Sequence, residues 1–274
     1  MHNKMLPLFP NNSLARLLAL RAMREADSAL LGVYHSRFSG NGLEFAEMAD
    51  YDGGDARRIH WPLSMRKGRL LVSRHQEERE MPMLFGIDAS SSMMLTDSSC
   101  EAMLHLTALL SACAIHHNDP MGALLVANGI DERLPNGYGL GQATAILNAI
   151  LRLPRQRHTT SLAALCRRLL GIPARRTRMV LISDFLDTGY EQPLRTLALK
   201  HDVLACLIQH PTPPIPAGAE LEDSESGAII HASEIATETA NPALWELGVQ
   251  PVVISPGCNL YMALLRALKN PRTC

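Results

Sequence analysis

The 274-residue chain carries 26 Lys and Arg against 27 Asp and Glu, a formal net charge of -1, with 47% hydrophobic, 19% charged and 4% aromatic residues. This is the composition of an aliphatic globular protein with a full-sized core; it excludes a disordered chain and supplies no overall field steering the molecule to nucleic acid or acidic lipid. Six cysteines form no Cys-x-x-Cys pair, and Cys100, Cys113, Cys166 and Cys206 lie in apolar runs, so they read as reduced core residues of a cytoplasmic protein. Met1 to Pro10 lacks a signal pattern, and the most apolar stretch, Met103 to Ile115, is broken by His105, Thr107 and Ser111, so no signal peptide or membrane span is expected.

Ser13 is placed to cap a helix in which Leu14, Leu17, Leu18, Leu20 and Met23 alternate with Arg16, Arg21 and Arg24, and this helix is expected to pack on the main body. From His35 to Arg79 glycines separate short runs such as Leu43–Phe45 and Arg69–Val72, a texture of turns and strands rather than helix. Residues 1–80 are therefore read as an N-terminal helix and Gly-rich β segment packed on the main body, and 81–274 as the main domain. There the pattern becomes regular. Strands are predicted at Met83–Ile87, Ala123–Val126, Met179–Ile182, Val203–Ile208 and Val252–Ile254. Between them fall helices over Met103–Cys113, with Ser98 and Glu101 as a capping box, and over Gln142–Leu151, Leu162–Leu170, Gln192–Lys200 and Leu260–Leu268. Such alternation predicts an α/β fold with a Rossmann-like, doubly wound, mainly parallel sheet covered on both faces.

Ligands of an open parallel sheet sit at the carboxyl ends of its strands. Asp88-Ala89-Ser90-Ser91-Ser92 leaves the first strong strand, Ser183-Asp184-Phe185 leaves another, and His158-Thr159-Thr160-Ser161 precedes a helix. Carboxylates and hydroxyls are hard oxygen donors suited to Mg²⁺, and Mn²⁺ or Ca²⁺ accept the same set. Alternation lets Asp88, Ser90 and Ser92 turn toward one point. The bland alternative is that each of these residues caps a helix.

Asp88-x-Ser-x-Ser, followed by a Thr and by a strand-terminal Asp, resembles the metal-ion-dependent adhesion site of von Willebrand factor A domains. A second resemblance covers most of the chain. Ser39 to Glu47, Tyr51 to Trp61 (Tyr-Asp-Gly-Gly-Asp-Ala-Arg-Arg-Ile-His-Trp), Glu77 to Glu80 and the acidic Leu221 to Gly227 resemble the bacterial domain of unknown function 58 family. That family joins such a segment to a von Willebrand factor A-like domain and occurs with MoxR-type AAA+ ATPases. The sequence departs from its pattern at His60, where Asp is usual, at Ala49, where Arg is usual, and at His158 and Thr159, which replace glycines. The resemblance implies a metal held by Asp88, Ser90, Ser92, Thr160 and Asp184, with Thr160 preferred to Thr159 because Thr-x-Leu then matches the family's approach to the helix. Asp55, Arg57, Arg58 and Trp61 read either as a partner-binding surface or as a buried salt-bridged turn.

Other signals are weaker. Gly137-Tyr138-Gly139-Leu140-Gly141 lacks the spacing of a phosphate cradle, and His116-His117 lacks zinc-ligand spacing. The basic runs Arg152–Arg157 and Arg175–Arg178 read as solvated faces. No Gly-x-Ser-x-Gly elbow surrounds any serine. The expectation is a non-enzymatic, Mg²⁺-dependent protein-binding module partnered with an AAA+ ATPase. The alternative is a Mg²⁺-dependent phosphotransferase or phosphatase with Asp88 as nucleophile, which would need a second acid where Ser90 stands.

Overall fold

The computed structural model describes residues 11–38, 47–51, 53, 56–74, 81–90, 92–93, 96–127, 130–153, 161–172, 176–210, 220–222, 229–231 and 243–269. The helices are α1 (Asn11–Glu25), α2 (Ser28–Phe38), α3 (Trp61–Lys67), α4 (Asp97–His116), α5 (Gly139–Leu151), α6 (Leu162–Leu170), α7 (Glu191–Lys200), α8 (Ala243–Glu246) and α9 (Leu260–Lys269). The strands are β1 (Glu47–Asp50), β2 (Leu71–Arg74), β3 (Met83–Asp88), β4 (Met121–Ala127), β5 (Ile130–Gly137), β6 (Arg178–Ser183), β7 (Asp202–Ile208), β8 (Glu220–Glu222), β9 (Ile229–His231) and β10 (Gln250–Ile254).

Six strands form the central sheet in the order β10-β7-β6-β3-β4-β5. All neighbours are parallel except β5, which closes one edge antiparallel to β4. The first strand, β3, lies in the middle. The chain builds outward through β4 and β5, then returns to β6 on the other side and continues to β7 and β10. Between β3 and β6 lies the topological switch point, where successive loops part to opposite faces and leave a crevice at the strands' carboxyl ends.

Alternation within the strands explains why they read as unbroken apolar runs. Met83, Phe85 and Ile87 of β3 join the core under α1, α2, α4, α5 and α9, whereas Leu84 joins the core under α6 and α7. Gly86 also faces α6, and a Cβ there would lie 2.7 Å from Leu181 Cδ2 and 2.8 Å from Leu169 Cδ1. The missing side chain lets α6 sit close to the sheet. The parallel strands and the helices α5, α6, α7 and α9 fall where the apolar spacing puts them. The start of α4 differs: Thr96, not Ser98, holds the N-cap position, and its hydroxyl bonds the Ser99 hydroxyl rather than a backbone amide.

α4 is, among the described residues, long and apolar enough to cross a membrane, but most of it is buried within the fold. Cys100, Cys113, Cys166 and Cys206 are buried free thiols, while Cys258 is exposed.

The N-terminal helices dock in an unexpected orientation. Ala15, Ala19 and Ala22 form the buried stripe of α1 against α4 and α5, while Leu17, Leu20 and Met23 point outward among the arginines. Small side chains allow a close approach between helix axes, so the alanine face wins the interface over the leucines. α2 is held differently. Tyr34 Oη donates to Asp119 Oδ2 at 3.1 Å, and Arg178 Nη1 pairs with the same carboxylate and lies 3.3 Å from the Tyr34 hydroxyl. Arg178 is therefore not part of a solvated basic face. It opens β6, and the sheet buries it at the end opposite the strand termini described below. The Gly-rich segment holds more helix than its texture predicts: β1 and β2 pair antiparallel, and α3 lies between them.

Replacing Asp119 by Ala strands the buried Arg178 guanidinium, and such a loss costs about 3–5 kcal/mol. Glu132→Ala, which removes the exposed partner of Arg152, costs roughly 1 kcal/mol or less. Urea unfolding of both variants checks the contrast, and equal costs would contradict the buried-pair assignment.

Candidate functional site

Asp88 is the last residue of a wholly buried strand, which brings its carboxylate to the rim of the crevice with 4% exposure. The Ser90 backbone N–H donates to Oδ1 at 2.9 Å, folding the loop back on the carboxylate, and Ser183 Oγ donates to Oδ2 at 2.7 Å. Ser183 ends β6, so this bond joins the two strands that flank the switch point. Burial pushes the Asp88 carboxyl up to about 6, and the nearby Asp184 charge adds to the rise, while the Ser183 and Ser90 hydrogen bonds oppose it.

Ser90 Oγ and Ser92 Oγ lie 3.0 Å apart, and the Ser92 side chain hydrogen-bonds Asp184. Asp184 is 6% exposed, accepts the Leu186 N–H on Oδ1 at 3.2 Å and meets His210 Nε2 at Oδ2 at 3.0 Å. Burial would raise its pKa, but hydrogen bonds from His210, Ser92 and the Leu186 amide together hold it below the ordinary carboxylate value.

The turn after Asp184 is strained. Phe185 takes a φ of 55°, a left-handed conformation rarely adopted by a bulky residue, and buries its ring edge-on to Tyr190 with centroids 5.8 Å apart. The following residue, Leu186, is thrown outward with 61% exposure beside the acidic crevice.

Four of the five expected ligands, Asp88, Ser90, Ser92 and Asp184, thus belong to one hydrogen-bonded network. Thr160 and its alternative Thr159 lie outside the described residues. In the residues that follow, Ser161 Oγ caps α6 through the Ala164 amide, and the Leu162 amide donates to Asp187 Oδ2 at 2.8 Å. The start of α6 is therefore tied to the loop carrying Asp184. Among the described residues no three His, Cys, Asp or Glu side chains form a cluster able to hold a metal. Any ion here would meet two carboxylates and hydroxyls, a donor set for hard cations and not for zinc.

His210 is a member of this network that the sequence motifs do not mark. It follows β7 at the same rim as Asp88 and Asp184, and its place two residues beyond a predicted strand was the available signal. Of the second candidate set, Arg57 is exposed in the 3₁₀ turn Ala56–Arg58, and Trp61 opens α3 with 57% exposure, so the tryptophan does not pack a buried turn. Asp55 and the Arg58 side chain lie outside the described residues.

Uncharacterized proteins of Mycobacterium tuberculosis and Mycobacterium bovis are 28% identical over 224 residues, covering 78% of this chain and 71% of theirs. Among solved structures, the conserved hypothetical protein BatB from Bacteroides thetaiotaomicron is similar at 15% identity, with a TM-score of 0.45, over 69% of this chain and 97% of that one. A von Willebrand factor type A protein from Catenulispora acidiphila is similar at 13% identity and a TM-score of 0.44, over 69% of this chain and 42% of that one. The family model described as protein of unknown function DUF58 matches residues 47–241, well over half of the sequence, and the chain belongs to that family.

Proposed function

We propose that this protein is a divalent-metal-dependent protein-binding module, acting in the cytoplasm as an adaptor or partner of a MoxR-type AAA+ ATPase in the assembly or maturation of a client. Asp88 and Asp184 would anchor Mg²⁺, partly through water, and Ser90, Ser92 and Thr160 would ligate it. A glutamate or aspartate of the partner would take the remaining position. When bound, the ion supplies a fixed positive charge with an open coordination site, and the role of the chain is to present it.

One observation carries the reading: the two buried carboxylates and two serine hydroxyls converge at the sheet's switch point, where Asp184 raises the cost of ionising Asp88. A cation would relieve that cost, so the donor set fits the ion in charge and in chemistry. The bond between the Leu162 amide and Asp187 supports Thr160 as the fifth group, because it brings the start of α6 to the Asp184 loop. Both Asp88 oxygens are engaged, Oδ1 by the Ser90 amide and Oδ2 by the Ser183 hydroxyl, which supports a holding role over nucleophilic attack. The AAA+ partnership rests on the family resemblance alone.

Titration calorimetry of the full chain with MgCl₂ should show one site, and Mg²⁺ at a hundredfold its Kd should stabilise the fold by about 2.7 kcal/mol. Asp88→Asn should abolish that heat and yet melt in EDTA at or above the parent temperature. It removes one of two neighbouring buried charges, and the Ser183 hydroxyl can turn to accept from the new amide. An Asp88→Asn variant that still binds Mg²⁺ would exclude the site. For the partner, affinity capture from a bacterial extract with Mg²⁺, with EDTA and with Asp88→Ala should recover an AAA+ ATPase or its client only in the first case. Equal recovery in all three would move the binding surface elsewhere.

A further inference from the structure

His210 is hydrogen-bonded through both of its ring nitrogens. Thr96 Oγ1 donates to Ser99 Oγ at 2.6 Å, and Ser99 Oγ lies 3.0 Å from His210 Nδ1. The other ring nitrogen, Nε2, lies 3.0 Å from Asp184 Oδ2, and because an ionised carboxylate only accepts, Nε2 carries the proton of that bond. Thr96 and Ser99 belong to the start of α4, His210 follows β7, and Asp184 follows β6, so the chain crosses three separate segments. Ser99 is buried, and the relay runs inward from the crevice.

We infer that His210 is a positioning residue for Asp184, with its ring anchored by Ser99 and Thr96; this rests on the metal-binding reading above. The carboxylate keeps its capacity for an ion, since each oxygen has two lone pairs and His210 uses one of those on Oδ2. The imidazole N–H fixes the direction of the carboxylate, and the ring's second nitrogen ties it to the start of α4. The same logic governs carboxylates and imidazoles that support metal ligands in other proteins, where their loss lowers metal affinity.

The test uses the full-length chain with Mn²⁺ as the probe, its free concentration read by electron paramagnetic resonance, and melting in EDTA as a measure of the fold. His210→Ala should weaken Mn²⁺ binding about 10-fold or more. His210→Gln, whose amide restores an N–H donor, should recover most of the loss. Ser99→Ala leaves the imidazole in place but removes the hydroxyl that anchors its Nδ1 side, so it should give a smaller loss, and it keeps the question open to test if His210→Ala fails to fold. Mn²⁺ affinity unchanged in both His210→Ala and Ser99→Ala, or equal losses in His210→Ala and His210→Gln, would overturn the positioning role while leaving the metal site standing. A parent chain that binds no Mn²⁺ would overturn the metal reading and this inference with it.

Discussion

Taking a carboxylate out of water at the end of a parallel strand is costly, and this protein does it twice within one crevice. Asp88 and Asp184 are almost wholly buried, and the Asp184 charge raises the cost of ionising Asp88. The surrounding structure is arranged to tolerate them. Ser183 bridges the two strands by donating to Asp88 and accepting the Phe185 amide, and the Ser90, Leu186 and His210 donors take up further lone pairs. The opposition between the two carboxyls follows from this arrangement: at Asp88 burial outweighs the hydrogen bonds and the Asp184 charge adds to the rise, whereas at Asp184 the bonds from His210, Ser92 and the Leu186 amide outweigh burial.

The rest of the fold serves that crevice by making it rigid. β3 and β6 are buried on both faces, so their ends cannot shift without disturbing two cores at once. At the far end of β6, Arg178 is locked to Asp119 and Tyr34, which ties α2 and the turn before β4 to the same strand that ends in Ser183. The strain at Phe185 persists because its ring is buried and its amide is bonded, and it sets the direction in which Leu186 leaves the site.

Much of this was legible in the sequence, for a physical reason. Strands buried on both faces give continuous apolar runs, and the helices between them repeat at three and four residues, so β3, β4, β6, β7 and β10 and four of the helices lay where expected. The acidic loops were legible because each ends such a run. What escaped notice depended on partners distant in sequence or on volume. β5 escaped because its polar residues are those of an edge strand, not of a buried one. Periodicity finds a face of α1 but does not decide between the alanine and leucine stripes, since close packing of axes is a matter of side-chain volume. Arg178 and His210 acquire their roles from Asp119 and Asp184, 59 and 26 residues away.

The antiparallel edge formed by β5 has a consequence for how other molecules can approach. Pro135 removes a backbone donor from that strand, and Asp131 and Glu132 are drawn into ion pairs with Arg168 and Arg152. An incoming strand would meet an incomplete ladder and a row of already matched charges, so extension of the sheet by a foreign chain is opposed along this side. Backbone-to-backbone joining is thereby discouraged along this edge of the sheet.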